Sequence, residues 1–198
     1  MSHVVLLGDS IFDNAAYTRG EPDVITHLES VLPRGARATL CAVDGATTGS
    51  LGRQLTCVPR DSTHLVVAIG GNDALANTDL LDTRVSSTAG ALTLFADRVD
   101  AFEAAYRAAL APVLARGQPT IVCTIYNGNL EPPRARLARV ALTLFNDVIV
   151  RFGFEHTLPV IDLRLVCCDP SDYANPIEPS GRGGLKIARA IADAIARR

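Results

Sequence analysis

Five apolar runs of strand length punctuate the chain, at residues 4–7, 38–43, 65–69, 120–125 and 160–163, and none of them alternates apolar with polar positions. Continuous apolarity means a strand covered on both faces, the condition of a parallel sheet rather than of a hairpin with one wet side. Between the runs lie stretches with helical spacing, at residues 23–32, 94–115, 135–152 and 185–196, the last carrying Ile187, Ile191 and Ile195 on one stripe. Strand and helix in alternation predict an α/β sandwich. Residues 74–91, rich in Ser, Thr and Asp, read as a long loop or lid.

At 198 residues the expectation is one domain over positions 1–198. A domain of that size buries roughly 70% of its unfolded surface and needs no metal or disulfide staple. The net charge of −2 leaves no broad basic face, which argues against a nucleic-acid partner. The five cysteines, an odd number, show no CxxC or Cys/His spacing and read as buried free thiols rather than metal ligands. The N-terminal apolar run is too short for a signal sequence and no stretch reaches the length of about 18 apolar residues that a membrane span requires. The expectation is a cytoplasmic protein with no membrane partner.

In an open parallel sheet, ligands bind where the loops leave the C-terminal strand ends. Those loops here are Gly8-Asp9-Ser10-Ile11, Asp44-Gly45-Ala46-Thr47-Thr48-Gly49, Gly70-Gly71-Asn72-Asp73 and Tyr126-Asn127-Gly128. A serine on a tight turn presents its hydroxyl outward, while Gly backbone N–H groups and an Asn side chain supply donors for a developing oxyanion. Singly, each loop is also an ordinary turn, since Asn and Asp bond their own backbone. Together they converge on one edge.

The set Gly8-Asp9-Ser10-Ile11, Gly49 and Gly71-Asn72-Asp73, followed by Asn175-Pro176-Ile177-Glu178-Pro179-Ser180 and Gly183-Gly184-Leu185-Lys186-Ile187-Ala188, resembles the blocks of the SGNH (GDSL) hydrolases. The resemblance covers nearly the whole chain. It implies a flavodoxin-like three-layer α/β/α sandwich on a five-stranded parallel sheet, and hydrolysis of a small ester or acyl substrate without a cofactor. By position Ser10 is the nucleophile, and the oxyanion is held by the Ser10 N–H, the Gly49 N–H and the Asn72 side chain.

One block departs from that pattern: where the family has Asp-x-x-His, this chain has Asn175 and Glu178. His3, His64 and His156 precede strands, away from the crevice, and His27 lies in the first helix, so Glu178 is the candidate base. A free Glu (pKa ~4.3) is weaker than a free His (~6.5), a handicap of at most ~3 kcal/mol. Burial would raise the Glu178 pKa, whereas the N-terminus of the last helix would lower it. Asp169 and Asp172 are candidates to hold Glu178, and also read as turn residues. Asn14 and Tyr17 either line the pocket or cap a helix. Asp9 and Asp73 lack a third ligand, so no metal is expected.

Three functions compete. A serine esterase or acylhydrolase using Ser10 and Glu178 leads. A non-catalytic binder of a small molecule or carbohydrate, keeping the pocket without the proton shuttle, is the alternative. A receiver or nucleotide-binding module is weakest, because no GxGxxG or GxxxxGK[ST] follows a strand.

Overall fold

The computed structural model describes residues 2–197. The strands are β1 (His3–Gly8), β2 (Arg37–Leu40), β3 (His64–Ala68), β4 (Thr120–Cys123) and β5 (Val160–Ile161). They form one fully parallel sheet in the order β2-β1-β3-β4-β5. The helices are α1 (Val24–Val31), α2 (Leu51–Gln54), α3 (Gly71–Leu75), α4 (Thr88–Leu114), α5 (Arg134–Glu155), α6 (Leu163–Val166) and α7 (Gly181–Ala196).

Successive strand residues face opposite sides, so each strand feeds two cores. Val4 and Leu6 of β1 pack with Val24 and Leu28 of α1 and Ile187 and Ile191 of α7. Val5 and Leu7 pack with Phe102, Tyr106 and Leu110 of α4 and Phe145, Ile149 and Phe152 of α5. Each such side chain contributes about 1.5–3 kcal/mol by leaving water. The result is the expected three-layer α/β/α sandwich. Because β2 lies on one side of β1 and β3 on the other, the order in which strands are added reverses there while all strands stay parallel, and the loops after β1 and β3 part to open a crevice.

Element ends differ from the sequence reading where side chains intervene. Helix α7 begins at Gly181, four residues early, because Ser180 Oγ accepts the Gly183 N–H and caps it. Gly183 tolerates no side chain, since a Cβ there would lie 2.1 Å from the Asp172 carbonyl oxygen. Helix α4 begins at Thr88 under a Ser87 cap. The expected loop over residues 74–91 therefore holds the end of α3, a short 3-10 helix (Thr78–Asp82) and the first turn of α4. Strand β4 stops at Cys123, and beyond it Asn146 of α5 takes both the N–H and the carbonyl of Ile125. Among the described residues, no helix is long and apolar enough to cross a membrane.

Candidate active site

Gly8, at the end of β1, has φ +141°, and a Cβ there would meet the Ala68 carbonyl oxygen at 1.8 Å. Only glycine fits. The Gln54 side-chain amide grips the same residue twice, accepting the Gly8 N–H at 2.8 Å and donating to the Gly8 carbonyl at 2.7 Å. One residue on, the Asp9 N–H reaches back to Ala68 at 3.2 Å, and Asp9 Oδ1 accepts the Ile11 N–H at 3.1 Å. Ser10 is thereby fixed on a turn at the point where the sheet reverses.

Ser10 Oγ donates to Glu178 Oε1 across 3.1 Å, joining residues 168 positions apart. Glu178 arrives on a loop pinned by its backbone. Asn175 Oδ1 accepts the N–H groups of Ile177 and Glu178, each at 2.9 Å. The Ala174 N–H donates to the Glu178 carbonyl, Tyr126 Oη donates to the Ile177 carbonyl, and Asn14 Nδ2 donates to the Pro179 carbonyl while its Oδ1 accepts the Val24 N–H. Asn14 is thus a strut. Tyr17 instead donates to Asp44 at 2.7 Å on the exposed rim.

Glu178 is 6% exposed and its Oε2 has no hydrogen-bond partner. Burial pushes its pKa up to about 7, against a smaller downward pull from the Ser10 hydrogen bond, with Asp44 adding repulsion. The N–H groups of Gly183 and Gly181 at the start of α7 are taken by Ser180 Oγ and Glu21 Oε2 rather than by Glu178. A carboxylate at about 7 matches a free imidazole at ~6.5 as a proton acceptor.

Neither Asp169 nor Asp172 holds Glu178, which corrects that expectation. Asp169 caps the 3-10 helix Pro170–Asp172 through the Ser171 N–H. Asp172, fully buried, takes Lys186 Nζ at 2.7 Å and the Asp169 N–H at 3.0 Å, bracing the Glu178 loop from below. Asp73 spends both carboxylate oxygens on Thr48, so it does not join Asp9 in a ligand pair.

Asn72 lies in the first turn of α3 and donates from Nδ2 to the Ala46 carbonyl at 2.9 Å. An amide nitrogen carries two hydrogens, so one donor remains. Gly49 sits in the 3-10 helix Thr48–Ser50, exposed, and is not among the residues lining the Ser10 cavity. Earlier in the same loop Gly45, at φ +74° and likewise exposed, is flanked by Val43 and Asp44 bonded to Gly8 and Asp13, and by Ala46 bonded to Asn72.

Ser10, Glu178, Asp9 and Asn72 open into one cavity of about 260 Å³. Its far walls are apolar: Leu75, Leu81, Phe95, Leu130, Leu142 and Phe145. No histidine lines it. His3 pairs with Asp61 and Thr39 at the opposite sheet edge, and His156 stacks on Phe152 beyond the end of α5.

Solved structures share this architecture. An extracellular lipase from Streptomyces rimosus superposes with a TM-score of 0.71 at 16% identity, covering 100% of this chain and 99% of that one. A member of the lipolytic G-D-S-L family from Veillonella parvula gives 0.71 at 15% identity, with 100% of both chains covered. The acetyl xylan esterase AlAXEase gives 0.73 at 15%, covering 98% and 99%. At such identities the likeness is one of fold. No curated protein matches the chain. The model of the GDSL-like lipase/acylhydrolase family matches residues 6–183. That match takes in the Ser10 turn, the Asn72 helix and the Glu178 loop, and the chain belongs to the GDSL-like lipase/acylhydrolase family.

Proposed function

We propose that the protein is a serine ester hydrolase in which Glu178 does the work of the family's histidine. The observation that carries this reading is the buried 3.1 Å hydrogen bond from Ser10 Oγ to Glu178 Oε1 at the head of an apolar cavity. An ionised carboxylate within hydrogen-bond reach of the hydroxyl meets the requirement for a general base.

As Ser10 Oγ bonds to the acyl carbon, its proton passes to Glu178 Oε1 and the carbonyl electron pair moves onto oxygen. The Ser10 N–H, the second hydrogen of Asn72 Nδ2 and a backbone N–H of the loop that carries Gly45 and Gly49 stabilise that oxyanion. Collapse breaks the bond to the alcohol, which leaves with the proton held by Glu178. Water then repeats the sequence on the acyl-enzyme. An alcohol leaving group suits a carboxylic acid donor better than an amine, so esters are the substrate class. The apolar walls accommodate the acyl part of the ester.

The five cysteines, none in a disulfide, support the cytoplasm as the location.

The test compares the parent with Ser10→Ala and Glu178→Gln on p-nitrophenyl esters of graded acyl length, alongside fluorophosphonate labelling. Ser10→Ala is expected to fall to background and to lose the label. Glu178→Gln is expected to lose about 10²–10⁴-fold in kcat. Equal rates in all three proteins would instead favour a non-catalytic binding protein.

A further inference from the structure

A second buried acid, which the mechanism above does not use, lines the cavity that Glu178 lines. Asp9 is 1% exposed and lines the same cavity as Ser10 and Glu178. Its Oδ1 accepts the Ile11 N–H, and its Oδ2 has no partner. That free oxygen lies on the α3 side, 3.5 Å from where a Cβ on Gly71 would stand, next to Asn72. Glu178 has the same form: Oε1 is taken by Ser10 and Oε2 is unpartnered.

Two buried carboxyls with two orphaned oxygens resist ionising together when no cation is near. The groups around them supply none. Glu178, Asp73 and Asp44 all act on Asp9 to disfavour its charge, and Asp44 does the same to Glu178. The remaining neighbours, Tyr126, Tyr17 and Cys123, have their own ionisation pushed up by one or other of these acids and stay neutral. Arg134 lines the cavity too, but its guanidinium reaches Asp82 at 3.5 Å.

We propose that Asp9 and Glu178 share one proton at neutral pH, and that turnover requires it on Asp9, leaving Glu178 as the charged partner of Ser10. This rests on the reading of Ser10 and Glu178 given above. A neutral Asp9 leaves its Oδ2–H available beside Asn72, whereas an ionised Asp9 places a negative charge next to the carbonyl oxygen on which negative charge must build. Asp9 is therefore a positioning residue for charge: it holds the proton that Glu178 must not hold. Burial raises its pKa to about 7, the same level as Glu178, with the Glu178 charge adding to the rise in Asp9.

The expected signature is a bell in kcat/KM, rising as Glu178 ionises and falling as Asp9 does. Asp9→Asn keeps the acceptor for Ile11 and a donor for the cavity but is neutral at every pH. The variant is expected to retain the acid limb and lose the alkaline one. A parallel titration of ¹³C-labelled Asp and Glu carboxyls by NMR is expected to find one proton on the pair near pH 7 in the wild type, and one fewer titration at high pH in Asp9→Asn. An alkaline limb unchanged in Asp9→Asn, or two fully ionised carboxyls near pH 7, overturns the proposal. Hydrolysis that survives Ser10→Ala overturns the underlying catalytic reading instead, and the NMR titration still reports on the shared proton.

Discussion

Gln54 and Gly8 are joined by a closed pair of hydrogen bonds, the side-chain amide of one matching both backbone groups of the other at 2.8 and 2.7 Å. The pair is buried and lies two residues upstream of Ser10. Replacing Gln54 by Ala strands the Gly8 N–H, at a cost of about 1–3 kcal/mol, while the Gly8 carbonyl keeps the Val43 N–H. Urea denaturation is expected to show that loss. Hydrolysis by the folded Gln54→Ala protein is expected to lose kcat more than KM, because the turn carrying the hydroxyl is loosened and the acyl cavity is not.

Asp9 is expected to make the protein less stable at alkaline pH. A carboxyl whose pKa is about 7 when folded and ~4 when unfolded binds its proton more tightly in the fold. Its contribution is therefore best below about pH 4 and worsens as pH rises to about 7, after which the penalty is constant. Asp9→Asn removes the penalty, so at pH 8 the variant is expected to exceed wild type by about 1–4 kcal/mol, the gap closing toward about pH 4. Denaturant midpoints across that range measure it, and a gap independent of pH contradicts it.

Asn175 occupies the place of the family's acid but serves a turn, its Oδ1 taking two successive N–H groups. Asn175→Ala leaves both without that acceptor and is expected to reduce kcat by roughly tenfold or more through a wandering Glu178, on the scale of about 1.4 kcal/mol per factor of ten. Asn175→Asp keeps the acceptor and adds a negative charge near Glu178. That charge raises the pKa of the base, so the acid limb of the pH–rate profile is expected to move to higher pH while the maximum rate changes little.

Ala141 of α5 lines the deep part of the cavity among Leu142, Phe145 and Phe95. Ala141→Phe fills that space. Esters with acyl chains of six to eight carbons, lengths of roughly cavity scale, are expected to lose kcat/KM by about tenfold or more, whereas acetyl esters keep theirs. A uniform loss for all chain lengths would place the acyl group elsewhere.

The three central layers were legible because parallel strands buried on both sides leave unbroken apolar runs, as in Val4 to Leu7 and Leu65 to Ala68. Their ends were less so. Strand β5 keeps only Val160 and Ile161, because Asp162 turns away to cap α6, and the glycines that begin α7 carry no helical periodicity although Ser180 caps them. The family resemblance and the five-stranded sandwich stand. The meeting of Ser10 with Glu178, foreseen from the blocks, is a matter of long-range packing that spacing alone does not reveal. Gly45 and Gly49 follow the same strand, and their residue types alone do not say which turns an N–H toward the serine. Asp9 carried no signal in the sequence as an acid, since its character comes first from its burial at the end of β1, with the charge of Glu178, 169 positions later, a smaller contribution.

The distance in sequence between nucleophile and base has a consequence for biosynthesis. A chain emerging from the ribosome presents Ser10 early, yet the serine gains its carboxylate partner only when the loop braced by Asp172 and Lys186 folds onto Asn14 and Tyr126. On the proposed chemistry, ester cleavage would begin only after that loop has closed, so truncated products that lack it would carry an unarmed serine.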